Sequence, residues 1–381
     1  MKICFVGHVF HQKTQSHAFF TDILRRLGDV TELYSDPDGS PTCDDALIRR
    51  LAAERFDRIL FWQTERVAER LLPLDLPGCI IVPMYDSVAR LPELFWQRFV
   101  KSRFLSFSRA HHEALQRIGC VSHHFQYFPD PGVAPARAIV TDRLDGFFWE
   151  RVPRSAVNRE RVLAQCCLLG ISRLHLHAVP DFADDDVGPP AADPEGVALS
   201  TSRWFDRREE YDHVAGTPLF FFAPRELEGI GMASLEAMAR GQIVVGPSRP
   251  TLNEYVAHGT SGLLYEPADR ADLALRLPLD RTRLAAMSIA ARRKAEEGRR
   301  SWLKDIRRLI SVVADDGTRW SRHDYSGTFV TDIQRAAHAR MARAGDRPAD
   351  PVTDRREHRD GGAERSQRAS ADAGEYRRTG S

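Results

Sequence analysis

Short apolar runs alternate with segments of helical period along the first third of the chain. The runs Lys2–Val6, Val30–Tyr34, Arg58–Trp62, Cys79–Pro83, Phe104–Ser108 and His123–Tyr127 are apolar nearly throughout, as strands covered on both faces must be. Between them, His17–Leu27, Asp44–Arg55, Glu65–Leu72, Pro92–Val100 and Ala110–Ile118 repeat their apolar positions at helical spacing, with Gly28 and Gly119 placed as helix ends. This order predicts a doubly wound parallel sheet over residues 1–132. The segment Phe128-Pro-Asp-Pro-Gly-Val-Ala-Pro breaks both periods and marks the crossing to a second domain.

A second alternation fills residues 133–318. Strands are expected at Ala138–Val140, Gly146–Trp149, Leu174–Ala178, Gly196–Ser200, Leu219–Ala223, Gln242–Val245 and Gly262–Tyr265. Helices are expected at Arg159–Leu168, Asp206–Val214, Met232–Ala239, Thr282–Glu297 and Trp302–Val313. A helical extension covers 319–344. From 345 to 381 the composition turns to Arg, Asp, Gly, Ser and Ala, which cannot supply a core and predicts a disordered tail.

Composition narrows the classes. The 381 residues are 43% hydrophobic and 28% charged, enough apolar material for two ordinary cores. A net charge of +1 gives no basic field for nucleic acid. The six cysteines show no C-x-x-C spacing, and several sit in apolar runs, which suits a reduced, cytoplasmic protein. No apolar stretch approaches the roughly 20 residues of a membrane span, so any membrane contact is expected to be peripheral.

The chemistry concentrates in Phe220-Phe-Phe-Ala-Pro-Arg-Glu-Leu-Glu228-Gly-Ile-Gly-Met-Ala-Ser-Leu-Glu236-Ala-Met-Ala-Arg-Gly-Gln-Ile-Val-Val245, which reads strand, loop, helix, strand. Gly229 and Gly231 let a ligand approach the main chain just before Met232 opens the helix. The N–H groups of such a helix start stabilise a diphosphate. Glu236, about one turn inside, suits a ribose diol, and Glu228 in the loop points to the sugar end.

The stretch Glu228-Gly-Ile-Gly-Met-Ala-Ser-Leu-Glu236-Ala-Met-Ala-Arg-Gly resembles the Glu-x7-Glu motif of family 4 (group 1) retaining glycosyltransferases, and Asn253-Glu-Tyr-Val with Gly262-Leu-Leu-Tyr continues the pattern. The resemblance implies the GT-B fold: an acceptor-side first domain, a nucleotide-sugar-binding second domain, and a cleft between them. It implies that Glu228 contacts donor-sugar hydroxyls and Glu236 the ribose, with no metal and no cofactor beyond the donor. The family also sets an Arg and a Lys against the diphosphate at the start of the second domain. Here R-x4-K is altered; Arg151 is the first choice, and Arg154 or Arg159 takes the place of the lysine.

In the first domain the family's glycine-rich loop corresponds to Gly7-His-Val-Phe-His-Gln-Lys13-Thr14-Gln-Ser16, where Lys13, Thr14 and Ser16 are candidates to bind phosphate or acceptor hydroxyls or, alternatively, form a capping cluster with Ser16 as N-cap of the next helix. Asp86 and His111 or His112 follow strand ends and are further acceptor-side candidates. Asp184-Asp-Asp reads as a solvated loop and the His175/His177 pair as structural, since neither has a further ligand nearby in sequence.

The expected function is retaining transfer of a hexosyl or related sugar from a nucleotide-sugar donor to an acceptor hydroxyl in glycan or polysaccharide biosynthesis. The sequence leaves open whether the acceptor is a lipid-linked glycan, a polymer, a small metabolite or a protein. The alternative is a regulatory GT-B-like protein that binds a nucleotide sugar without turning it over. A dinucleotide-dependent dehydrogenase is rejected, because Gly7-His-Val-Phe-His-Gln stands where G-x-G-x-x-G belongs.

Overall fold

A computed structural model describes residues 1–35, 41–72, 78–132, 144–180, 196–202, 205 and 207–315. The expected strand Ala138–Val140, the Asp184 loop, the 319–344 extension and the 345–381 tail lie outside these residues. The first parallel sheet has strand order β2 (Asp29–Ser35), β1 (Lys2–His8), β3 (Arg58–Trp62), β4 (Cys79–Val82), β5 (Arg103–Ser106) and β6 (Val121–His124). The second, also parallel, runs β12 (Gly262–Tyr265), β11 (Ile243–Pro247), β10 (Phe220–Phe222), β7 (Leu144–Trp149), β8 (Ile171–His177) and β9 (Ala198–Ser202).

Burial explains the choice of strand. Every residue of β3, β10, β11 and β12 is buried, so these runs need cover on both faces, which parallel sheets with flanking helices supply. One apolar cluster joins the two halves, running from Phe5, Phe20 and Trp62 through Trp302 to Phe147 and Phe221. Two others fill the far face of each sheet, around Phe61 and Phe104 in the first and Phe148 and Phe220 in the second.

The strand order also fixes where ligands fit. The chain reverses its direction of sheet growth between β1 and β3 in the first sheet and between β7 and β10 in the second. Doubly wound sheets bind ligands outside the carboxyl ends of the strands at such switch points.

Sequence periodicity suggests two helices near the end, broken around Gly298; the structure has one, α12 (Arg281–Ala314), of 34 residues. At 1.5 Å per residue it is about 50 Å long. Its first half buries Leu284, Met287 and Ala291 against the second sheet's helices, and its second half buries Trp302, Ile306 and Leu309 against the first. Gly298 lies at the crossover: a Cβ there would fall 2.3 Å from the Phe128 ring. The glycine permits close passage and does not break the helix.

The last turn of α12 ends on the first sheet. Its carbonyls are orphaned by helix geometry, and Arg58 donates to Val313 O at 2.7 Å and Ala314 O at 2.8 Å while Arg103 donates to Val312 O at 2.7 Å. Arg308, farther up, donates to His124 O at 2.6 Å. A second tie is Glu254 on α11 (Leu252–Tyr255), which accepts from Ser108 Oγ at 2.9 Å, Arg109 N at 2.6 Å and Ala110 N at 3.1 Å. It thereby caps α7 (Arg109–Arg117) of the first half, where a carboxylate opposes the positive end of the helix dipole.

Because Arg58 is buried and holds two carbonyls, Arg58→Ala should cost about 1.5–3 kcal/mol, the range for a hydrogen bond to a charged group. Urea unfolding of the two proteins measures this; a change within about 0.5 kcal/mol, the scatter of ordinary surface substitutions, would show that the helix end is held by packing alone.

Candidate functional site

The loop that carries Glu228 follows β10. It ends at Gly231, whose φ of 76° is left-handed, and α10 (Met232–Ala239) begins at the next residue. A side chain at Gly231 would be strained, which accounts for glycine at this helix start. Gly229 packs closely for another reason: a Cβ there would lie 3.0 Å from Asp86 Oδ1 and 3.1 Å from Met84 Cβ, so the loop rests directly on the segment after β4. Glu228 is 6% exposed; its amide donates to Pro250 O at 3.4 Å, and Thr251 Oγ1 donates to its carbonyl at 3.3 Å.

Glu236, one turn into α10, faces α9 (Arg208–Gly216). Arg208 Nη2 donates to its Oε2 at 2.5 Å, Arg240 Nη2 stands 3.6 Å away, and Arg208 also lies over the Tyr211 ring at 5.2 Å. Beside it, aromatic rings line the ends of β7 and β8. His177 stacks on Phe205 at 4.7 Å and meets Trp149 at 5.2 Å, and Tyr211 stands 5.9 Å from Phe205.

Arg151 leaves β7 and lies over the Trp149 ring at 4.9 Å. Arg159, proposed from sequence as a diphosphate cation, grips Glu150, which is 1% exposed, at 2.6–2.7 Å. Arg154 is exposed on the intervening turn. Facing these from the first sheet is Asp86 on α5 (Tyr85–Val88), paired with Arg225 at 2.9 Å. Burial pushes the Asp86 carboxyl up, opposed first by Arg225, then by the Ser87 amide and then by Arg151.

The Anabaena protein HepE, solved in complex with UDP and glucose, matches with a TM-score of 0.56 at 15% identity, over 82% of this chain and 100% of that one. Sucrose-phosphate synthase from Thermosynechococcus elongatus gives 0.58 at 16% identity, over 81% and 99%. The lipopolysaccharide outer core galactosyltransferase WaaB, in its apo form, gives 0.51 at 11% identity, over 81% and 99%. None of the curated proteins matches in sequence. Residues 204–282, which hold the Glu228–Gly231 loop and both glutamates, match the family described as "Glycosyl transferases group 1". The chain has the GT-B fold and resembles the group 1 glycosyltransferases.

In this GT-B chain the acceptor-side candidates scatter. The segment after β1, expected as an open loop, is helical: α1 (Val9–Thr14) precedes α2 (Ala18–Leu24), and His17, without a side-chain cap bond, stands at the N-cap expected for Ser16. Ser16 Oγ instead meets His11 Nδ1 at 2.7 Å, and Thr14 Oγ1 donates to Ser16 Oγ at 3.2 Å. The side chain of Lys13 lies outside the described residues. His111 is buried against Trp96 and Tyr85, and burial brings its pKa down to about 4. His175 and His177 bond to Ser200 and Ser202.

Sequence reasoning missed His11 and Gln63 at the first switch point. His11 Nε2 donates to Gln63 Oε1 at 3.1 Å, so its Nδ1 accepts from Ser16, and Gln63 holds a left-handed φ of 56°. Such strain in a non-glycine residue tends to collect at functional sites. It also missed Arg208 and Arg225, for which only the strand register gives a clue.

Buried neutral histidines make stability pH-dependent. Burial lowers His11 to about 3, lowers His111, His123, His124 and His177 to about 4, and depresses His112 and His175. An unfolded histidine titrates near 6.5, so below that pH the unfolded chain binds more protons and folding loses stability down to about pH 4. Glu65, raised by burial to about 8, and Asp86, also pushed up by burial, work in the opposite sense, two groups against seven. Calorimetric melting should therefore show Tm falling as pH drops from 6.5 to 4.5, with a smaller decline as pH rises from 7 to 8, where Glu65 ionises in the folded chain. A level Tm through the acid window would mean that these rings are protonated in the folded chain.

Proposed function

We propose that the protein is a retaining glycosyltransferase that moves a sugar from a nucleotide-sugar donor to an acceptor hydroxyl. The observation that carries the reading is the glycine-bracketed loop with Glu228 and Glu236 eight residues apart, set at the carboxyl edge of the second sheet within the matched family segment. HepE, a structure of the same fold, is described in complex with UDP-glucose, which supports a nucleotide-sugar donor here.

In this reading the diphosphate lies at the start of α10 with Arg151 beside it, Glu236 takes the ribose hydroxyls, and Glu228 takes those of the sugar. Arg208 then shares Glu236 with the ribose. The acceptor oxygen bonds to the anomeric carbon from the face that the diphosphate leaves. The anomeric carbon–oxygen bond breaks, and the acceptor proton passes to the departing phosphate oxygen. Configuration is thereby retained without a protein nucleophile. The protein's contribution is fixed positive charge at the leaving group, the kind of preorganised electrostatics that supplies much of enzymatic rate enhancement. Metal independence, a cytoplasmic setting and a role in glycan or polysaccharide synthesis complete the proposal.

The two glutamates should fail differently. Glu236 binds the ribose equally in ground and transition states, so Glu236→Gln should weaken nucleoside diphosphate binding roughly 10- to 150-fold while turnover at saturating donor changes less. Glu228→Gln should leave that affinity nearly unchanged and lower turnover. Calorimetric titration alongside steady-state transfer separates the two, and normal binding and turnover in both variants would place the donor site elsewhere.

A further inference from the structure

The altered cation motif leaves a question of charge. A departing diphosphate needs more than one cation, yet Arg159 is engaged by the buried Glu150 and Arg154 sits on an exposed turn. The strand register supplies another residue. In the second sheet β7 and β10 are hydrogen-bonded neighbours, with Gly146 opposite Phe220, Phe147 opposite Phe221 and Phe148 opposite Phe222. Three residues beyond Phe148 is Arg151; three beyond Phe222 is Arg225. The two arginines therefore leave the same sheet edge at matched positions, on the two strands that flank the switch point.

That edge is where a doubly wound sheet receives a phosphate-bearing ligand. Arg225 already holds a carboxylate there. Asp86, from the first half, reaches across to Arg225 at 2.9 Å, with its Oδ1 against the main chain at Gly229. Both guanidinium groups act on it: Arg225 and, more weakly, Arg151 oppose the upward push of burial on its carboxyl.

Resting on the donor-site reading above, we propose that Arg225 is the second cation against the donor diphosphate, partnering Arg151, and that Asp86 is the counterion that occupies it while the cleft is empty. Guanidinium suits this seat because its fork of donors matches phosphate oxygens in pairs. Donor binding exchanges the Asp86 carboxylate for phosphate oxygens on Arg225. Asp86, which bridges the two halves at the donor loop, is released toward the acceptor side in the same event, so the exchange couples donor arrival to the cleft wall.

The test is calorimetric titration of the full chain, Arg225→Gln and Arg225→Lys with UDP, GDP, ADP and dTDP. Binding of the matching nucleoside is followed in parallel by ligand-observed NMR, and each protein's melt serves as a control for folding. For the diphosphate that binds the unaltered chain, Arg225→Gln should weaken binding about 10- to 150-fold, as loss of a hydrogen bond to a charged group does. Arg225→Lys should recover part of that loss, and nucleoside binding should stay within about threefold in both variants, since neither touches the base or ribose. Unchanged diphosphate affinity in Arg225→Gln would overturn the assignment while leaving the donor site standing. Equal loss of nucleoside and diphosphate would also overturn it, by showing that Arg225 only shapes the loop. Failure of the unaltered chain to bind any of the four diphosphates would instead refute the donor-site reading itself.

Discussion

Helix α12 is the constraint on which the rest depends. It begins against the second sheet, passes Phe128 where Gly298 has no side chain, and ends with its carbonyls on Arg58 and Arg103 of the first. Trp302 on the same helix packs with Phe19, Phe107 and Tyr127, joining the cores of the two halves. Two sheets that could otherwise rotate about a linker are thus held with their carboxyl edges toward one another. Glu254 strengthens the arrangement from the other side by capping α7 across the divide. The charges in the cleft follow from this geometry: Asp86 can meet Arg225 only because the halves are fixed at this separation.

The site divides its labour accordingly. On the proposed reading the second half supplies the groups that bind a nucleotide, namely the N-terminus of α10, Glu236 with Arg208, and the aromatic rings at the ends of β7 and β8. The first half supplies Asp86 and, at its own switch point, the His11–Gln63 pair. Ion pairs in the cleft, such as Asp86–Arg225 and Glu236–Arg208, are poor candidates for net stability, because desolvating the charges offsets much of their attraction. On the proposed reading they keep charged groups compensated until a ligand replaces one partner.

The sequence revealed most where local signals and chemistry coincide. Apolar runs such as Arg58–Trp62 and Phe220–Phe222 are legible because both faces are buried, and Gly229, Gly231 and the two glutamates are legible because their spacing along the chain is also their spacing in space. What depends on strand order was not. Arg225 and Arg151 are 74 residues apart in number and leave the sheet at matched positions only through the pairing of β7 with β10. Glu254 and Arg58 look like ordinary surface charges until the helix termini they satisfy are known. Gly298 misleads for the same reason: a glycine amid Arg and Ser reads as a helix break, whereas the ring it accommodates lies 170 residues earlier.

The central claim is that the second half is a nucleotide-sugar site, and ligand-dependent melting of the unaltered chain tests it most directly. With UDP, GDP, ADP and dTDP each added at millimolar concentration, at least one should raise Tm, since a ligand present at 100 times its dissociation constant adds about 2.7 kcal/mol to the stability of the folded state. A cooperative melt that none of the four displaces would contradict the account.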